Sequence, residues 1–102
     1  MVDVLTGFEI RDKRGTTEHF SGTATTTPQT IPAVAGFELQ TVMIDNLGNK
    51  DIYVSFDGGT NFKTVVKWGS LVKTIKGNVK QFQVKTISGT SDFDGIMDRE
   101  LQ

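Results

Sequence analysis

The sequence has no cysteine, one histidine, two prolines and one tryptophan, and each scarcity removes a class of function. Without a thiol there is no disulfide, no Cys-ligated zinc or iron–sulfur cluster and no thiol nucleophile. His19 is the single imidazole, so metal sites built on a histidine pair are excluded. It lies in a charged, Thr-rich stretch, and no Gly-x-Ser-x-Gly motif offers it a serine to activate, which reads as a solvated surface residue rather than a catalytic base. No apolar run approaches the roughly 20 residues of a membrane span. The opening Met1, Val2 and Asp3 lack the basic, then apolar, pattern of a leader, so a soluble chain without signal peptide, and without a membrane partner, is expected. An excess of one charge is absent too: 11 Lys+Arg against 12 Asp+Glu leave a net charge of -1 and no global field toward nucleic acid or anionic lipid.

Helix-forming residues are sparse, with 3 Ala, 5 Leu and 4 Glu, while 14 Thr, 10 Val and 7 Ile make 31 of 102 positions β-branched. A branched Cβ is restricted in a helix and packs well on a pleated surface, so the composition is that of strands. Eleven glycines punctuate the apolar stretches where tight turns need a positive φ. The length is that of one domain, residues 1–102. A hydrophobic content of 36% is lean for a small core, which points to help from oligomerisation.

Alternation of apolar and polar residues places the elements. Val2, Val4, Thr6, Phe8 and Ile10 share one parity and predict a first strand, followed by a charged turn at 11–15. Residues 18–27 read as an edge strand or a surface segment. The run from Thr27 through Pro28, Ile31 and Pro32 cannot be a central strand, because proline lacks the N–H of the ladder, so residues 21–36 predict an extended arm or an inter-sheet connection. Residues 37–46 suit a central strand covered on both sides, and 46–49 reverse the chain. Ile52, Val54 and Phe56 alternate with Asp51, Tyr53, Ser55 and Asp57; Gly58 and Gly59 signal a two-residue hairpin turn into Phe62, Thr64, Val66 and Trp68. Further strands follow at 71–76, 79–87 and 92–97. Turns spaced every 8 to 12 residues, with no helical periodicity, predict an all-β chain: an antiparallel β-sandwich or jelly-roll-like barrel of about seven to eight strands, with essentially no helix.

Chemistry is sparse on this scaffold, and a non-enzymatic chain without cofactor is expected. Asp92, Asp94 and Asp98 cluster near the C-terminus, but a glycosidase pair needs one acid in an apolar pocket, and Asp92 and Asp94 read as solvated charges on an edge strand. The segments 45–51 and 92–95 carry Asp, Asn and Gly without the spacing or the bidentate Glu of an EF-hand, so they read as turns. Residues 50–85 hold Lys50, Lys63, Lys67, Lys73, Lys76, Lys80 and Lys85 against Asp51 and Asp57, a local +5, while the segments on either side each sum to -3. That distribution allows a nucleic-acid-binding module, a solvated outer face with lysines guarding strand edges, or a head-to-tail contact between copies that closes a cyclic oligomer. Nucleic acid is the weaker reading. Tyr53 and Trp68 have polar handles suited to an interface or a sugar platform, and the shared parity of Trp68 with Phe62 and Val66 offers a core role instead.

The hairpin sequence 52–64 (Ile-Tyr-Val-Ser-Phe-Asp-Gly-Gly-Thr-Asn-Phe-Lys-Thr), the stretch 79–90 (Val-Lys-Gln-Phe-Gln-Val-Lys-Thr-Ile-Ser-Gly-Thr) and the Thr/Pro-rich lead-in 24–32 together resemble small virion structural proteins of tailed bacteriophages. The acidic stretch 92–100 has no counterpart in that pattern. The resemblance implies a virion protein made in the host cytoplasm that decorates or cements the capsid, often as a homotrimer, with itself and the major capsid protein as partners. Tail, head–tail junction and baseplate positions are the alternatives it implies, and a nucleic-acid-binding or carbohydrate-binding module is the alternative outside it. On this reading Tyr53, Phe62, Trp68, Thr27, Pro28, Ile31 and Pro32 are interface residues, and Asp57, Gly58, Gly59 and Asn61 are structural turn residues.

Overall fold

The alternating stretches become strands in the computed structural model, which describes residues 15–34 and 36–100. The strand expected at 2–10 and most of the charged turn after it lie outside the described residues. The strands are β1 (Gly15–Ala24), β2 (Gln29–Ile31), β3 (Glu38–Asn46), β4 (Ile52–Ser55), β5 (Lys63–Val65), β6 (Ser70–Thr74), β7 (Phe82–Lys85) and β8 (Ser91–Glu100). They form two four-stranded antiparallel sheets ordered β1-β8-β3-β6 and β2-β7-β4-β5. Six of the seven connections cross from one sheet to the other, and only β4–β5 is a hairpin, which is a jelly-roll course. Among the described residues there is no helix, and no helix is long and apolar enough to cross a membrane.

Several local expectations change. The 46–49 turn reverses the chain as expected, and in doing so carries it into the other sheet. β3 is central in its sheet, yet only one of its faces is covered; Leu39, Val42 and Ile44 point inward while Met43 is exposed on the other side. The proline-flanked β2 sits at an edge, where a missing N–H costs no ladder bond. Residues 21–36 run from β1 through 25–28 into β2 and on toward β3, linking the sheets. β8, expected at an edge, is an inner strand: it pairs along its whole length with β1 and along most of it with β3. Its even spacing of Phe93, Gly95 and Met97 supplies the inward face that such a position requires.

The core lies between the sheets. Leu39, Val42, Ile44, Phe93 and Met97 from the first sheet meet Ile52, Val54, Val65, Phe82 and Val84 from the second. Phe82 is the hinge of an aromatic seam: its ring centroid is 5.5 Å from Phe20, edge to face, and 5.6 Å from Phe56, while Phe20 lies 6.1 Å from Phe93. Phe20 can cross β8 because Gly95 has no Cβ; one there would overlap both the Phe20 ring and the Met43 carbonyl oxygen. The sandwich closes at the end remote from Asn46 with Arg99, which lies 5.3 Å over the Phe37 ring and pairs with Glu18 at 2.6 Å. The Arg99 bond is the main reason the Glu18 carboxyl titrates below its ordinary value.

Candidate interaction surfaces

Because strands alternate in direction, the connections after β1, β3, β5 and β7 gather at one end of the sandwich. Asn46, 2% exposed, ties three of them together. Its side-chain nitrogen donates to the carbonyls of Lys50 (2.7 Å), Val65 (3.0 Å) and Val66 (3.3 Å). Its Oδ1 accepts from the Gly48 N–H (3.1 Å) and the Ser91 hydroxyl (2.7 Å). The segment 45–51 is thereby a structural clamp: the Asn46 N–H reaches the Gly69 carbonyl, and Asp51 accepts the Lys67 N–H at 3.0 Å. Among the described residues no three of His, Asp and Glu come together as a cation site.

That clamp presents Trp68 to solvent. The 66–69 turn closes through the Gly69 N–H to the Val66 carbonyl at 2.8 Å, and Trp68 occupies it with φ +63°. A bulky residue in the left-handed region is unfavourable, and a glycine stands next to it, yet the indole holds the position. Trp68 is 68% exposed and Val66 58%, so the core role offered by their shared parity with Phe62 does not hold. The inward residue of β5 is Val65, on the opposite parity. Leu47 and Ile87, in the neighbouring connections of the same end, are also exposed, and Thr27 and Pro28 lie exposed in the connection after β1.

The other expected interface residues lie elsewhere. Tyr53 is half-buried on the outer face of the second sheet, in register with Lys85 and Thr64. Phe62 is half-buried beneath Lys85, whose Nζ sits 4.3 Å from its ring centroid. Ile31 packs against the core, and the Pro32 carbonyl accepts the Gln81 side-chain N–H at 2.8 Å. The seven interface candidates are therefore spread over an end, a sheet face and the β2 edge rather than brought together.

The hairpin turn is longer than two residues. Residues 56–62 form the loop, with Gly58 and Gly59 at φ +74° and +92°. Asp57 organises it by accepting the Asn61 N–H (2.9 Å), the Asn61 side-chain N–H (2.8 Å) and the Ser55 hydroxyl (2.7 Å). These bonds to the ionised form, those from Asn61 foremost, hold the Asp57 carboxyl down at about 2. Beside this loop the β5 and β6 edges face each other across a groove of about 410 Å³, lined by Val54, Phe56, Phe62 and Leu71 and flanked by Lys63 and Lys73.

The seven lysines of 50–85 do not form one basic surface. Lys63 and Lys73 flank the groove; Lys76 and Lys80 lie in the connection after β6; Lys50, Lys67 and Lys85 surround Tyr53. The acids are concentrated instead, which the sequence reading missed. On the outer face of the first sheet the registers stack Thr17, Asp98, Thr41 and Thr74; then His19, Ile96, Met43 and Val72; then Ser21, Asp94, Asp45 and Ser70. Thr23 and Asp92 pair beyond these, and Glu38 faces Glu100. Cross-strand bonds from Thr17 to Asp98 (2.7 Å), Thr23 to Asp92 (2.7 Å) and Ser70 to Asp45 (2.5 Å) place hydroxyls and carboxylates on one side. The signal was the shared parity of Asp92, Asp94, Asp98 and Glu100, which identifies a face once the strand is known to be an inner one.

A scan against protein-family models finds no match, and no curated protein matches in sequence. Among solved structures, the chain is similar to one described as "Bacillus endospore appendages form a novel family of disulfide-linked pili". That similarity has a TM-score of 0.56 at 15% identity and covers 88% of this chain and 91% of the other. It is a likeness of fold that extends over nearly the whole of both chains.

Proposed function

We propose that the chain is a non-enzymatic structural subunit that assembles with its own copies and bridges neighbours in a larger particle. The sequence resemblance supports a tailed-phage virion as the setting, with capsid decoration or cementing as the specific role and the major capsid protein as the further partner. The observation that carries this reading is Trp68, a large aromatic side chain held in solvent by a left-handed backbone. Such a conformation costs on the order of 1–3 kcal/mol, and strained residues of this kind concentrate at functional sites. An exposed aromatic with exposed Val66, Leu47 and Ile87 in adjoining loops has the make-up of an interface anchor.

A second reading, a filament subunit, draws on the fold likeness to an appendage protein. Copies of this chain could not be joined as disulfide-linked pili are, because it has no cysteine. Either assembly would form without disulfides.

Sedimentation velocity over a concentration series tests the shared premise. Oligomers are the expected result, with Trp68→Ala displacing the distribution toward monomer. A wild-type chain that stays monomeric at every concentration and salt would remove the proposal.

A further inference from the structure

Resting on that reading of a self-assembling subunit, we infer that copies meet through two different sheet faces, the outer face of the first sheet against the outer face of the second. The first of these faces carries Glu38, Asp45, Asp92, Asp94, Asp98 and Glu100, and no Lys or Arg among the described residues. Asp45 stands directly opposite Asp94, and Glu38 opposite Glu100. Like charges in facing positions destabilise a sheet, so an isolated copy bears a repulsion that a cationic surface would relieve. Between the acidic rows runs an apolar one, Ile96, Met43 and Val72, in register across three strands. Acidic rows flanking an apolar stripe describe a surface with both a driving force for burial and a charge requirement for its partner.

The same chain carries the counterpart. On the second sheet, Tyr53 is surrounded by Lys50, Lys67 and Lys85, with Asp51 the acid beside them and Ile87 exposed at the margin. Lys85 covers Phe62, so aromatic surface and ammonium groups are presented together. Stacking the two faces puts lysines against the Asp45–Asp94 pair and sets Tyr53 and Ile87 against the Ile96–Met43–Val72 stripe. The contact is heterologous, one patch on a different patch. The two faces back onto opposite sides of one sandwich, so repeated contact runs on as an open head-to-tail series rather than the closed trimer that the sequence resemblance implies.

The test uses the full chain and two paired variants, Asp45→Lys with Asp94→Lys and Lys67→Glu with Lys85→Glu, each checked for folding by circular dichroism. Sedimentation at low salt should show the wild type growing with concentration, and high salt should dissociate it. Each paired variant alone should lose association by about tenfold or more, and an equimolar mixture of the two should recover it. If a reversed pair fails to fold, Asp45→Asn with Asp94→Asn and Lys67→Gln with Lys85→Gln replace them. Each of these neutral variants keeps one sound face, so their mixture should stop at a heterodimer. Wild-type chains that associate equally at both salts, or folded variants that associate as the wild type does, would overturn this contact while leaving self-assembly standing. A wild type that never associates would sink both.

Discussion

Asn46 and Asp57 do the same work in opposite surroundings. Each is a short polar side chain that gathers a loop by satisfying backbone groups, Asn46 buried at one end of the sandwich and Asp57 exposed in the 56–62 loop. Asn46 both donates and accepts, which lets one neutral group serve carbonyls and a hydroxyl without carrying charge into the interior. Asp57 only accepts, from the Asn61 amides and the Ser55 hydroxyl, and water solvates what remains of its charge. The difference between two nearly isosteric side chains is thus decided by the partners each must serve and by access to water.

Exchanging the two chemistries is the sharpest way to break this comparison. Asn46→Asp should have the largest effect. It removes the donor to the Lys50 and Val65 carbonyls and turns a carboxylate toward them, so a loss of about 3 kcal/mol or more is expected in urea unfolding. A loss below about 1 kcal/mol would mean the clamp does not hold that end together.

Trp68, supported by the Asn46 clamp through Gly69, comes next. Trp68→Gly should stabilise the isolated chain by about 1 kcal/mol, since glycine takes a positive φ without steric cost, while weakening association. A thermal melt alongside sedimentation separates the two effects. A variant that gained stability and associated normally would dissociate the strain from any role in contact.

Asp57→Asn should be the mildest of the three, because the side chain is exposed and the amide keeps one acceptor for Asn61. Its cost is present in full in neutral solution and disappears in acid. The folded carboxyl titrates at about 2, below the roughly 3.9 of an unfolded aspartate, so its contribution is fully present above the unfolded value. That contribution fades as pH falls from about 4 toward 2, and the variant should show a shallower stability slope across that window in acid titration. An unchanged slope would assign the acid response to other carboxylates, Glu18 first, whose pKa is also lowered.

Alternation made the strands legible and left their neighbours unreadable. The stretch 51–56 could be assigned from Ile52, Val54 and Phe56 alone, and the prolines placed β2 away from a sheet centre. Sheet order is another matter: nothing in residues 91–100 states that β8 runs between β1 and β3, and the reading of Asp92 and Asp94 as edge charges failed for that reason. The 61–68 parity misled because apolar residues mark either a core or a contact surface, and β5 is only three residues long before the chain turns out. Trp68 stands out in the sequence as the single indole, but its exposure depends on the backbone of one turn. The Asp57 loop was legible in kind, since Asp, Gly and Asn make turns, while its length came from side-chain bonds to Ser55 and Asn61 that spacing does not announce.

Lys63 and Lys73, flanking the β5–β6 groove, carry a consequence for solubility. Both belong to the parity that faces inward on their strands, but both lie exposed at the outermost strand of their sheets. Adding a strand beside β5 or β6 would force an ammonium group into an apolar seam, so this rim resists uncontrolled growth of the kind that leads to fibrous aggregates. Order in any assembly of this chain then depends as much on where copies are forbidden to join as on where they meet.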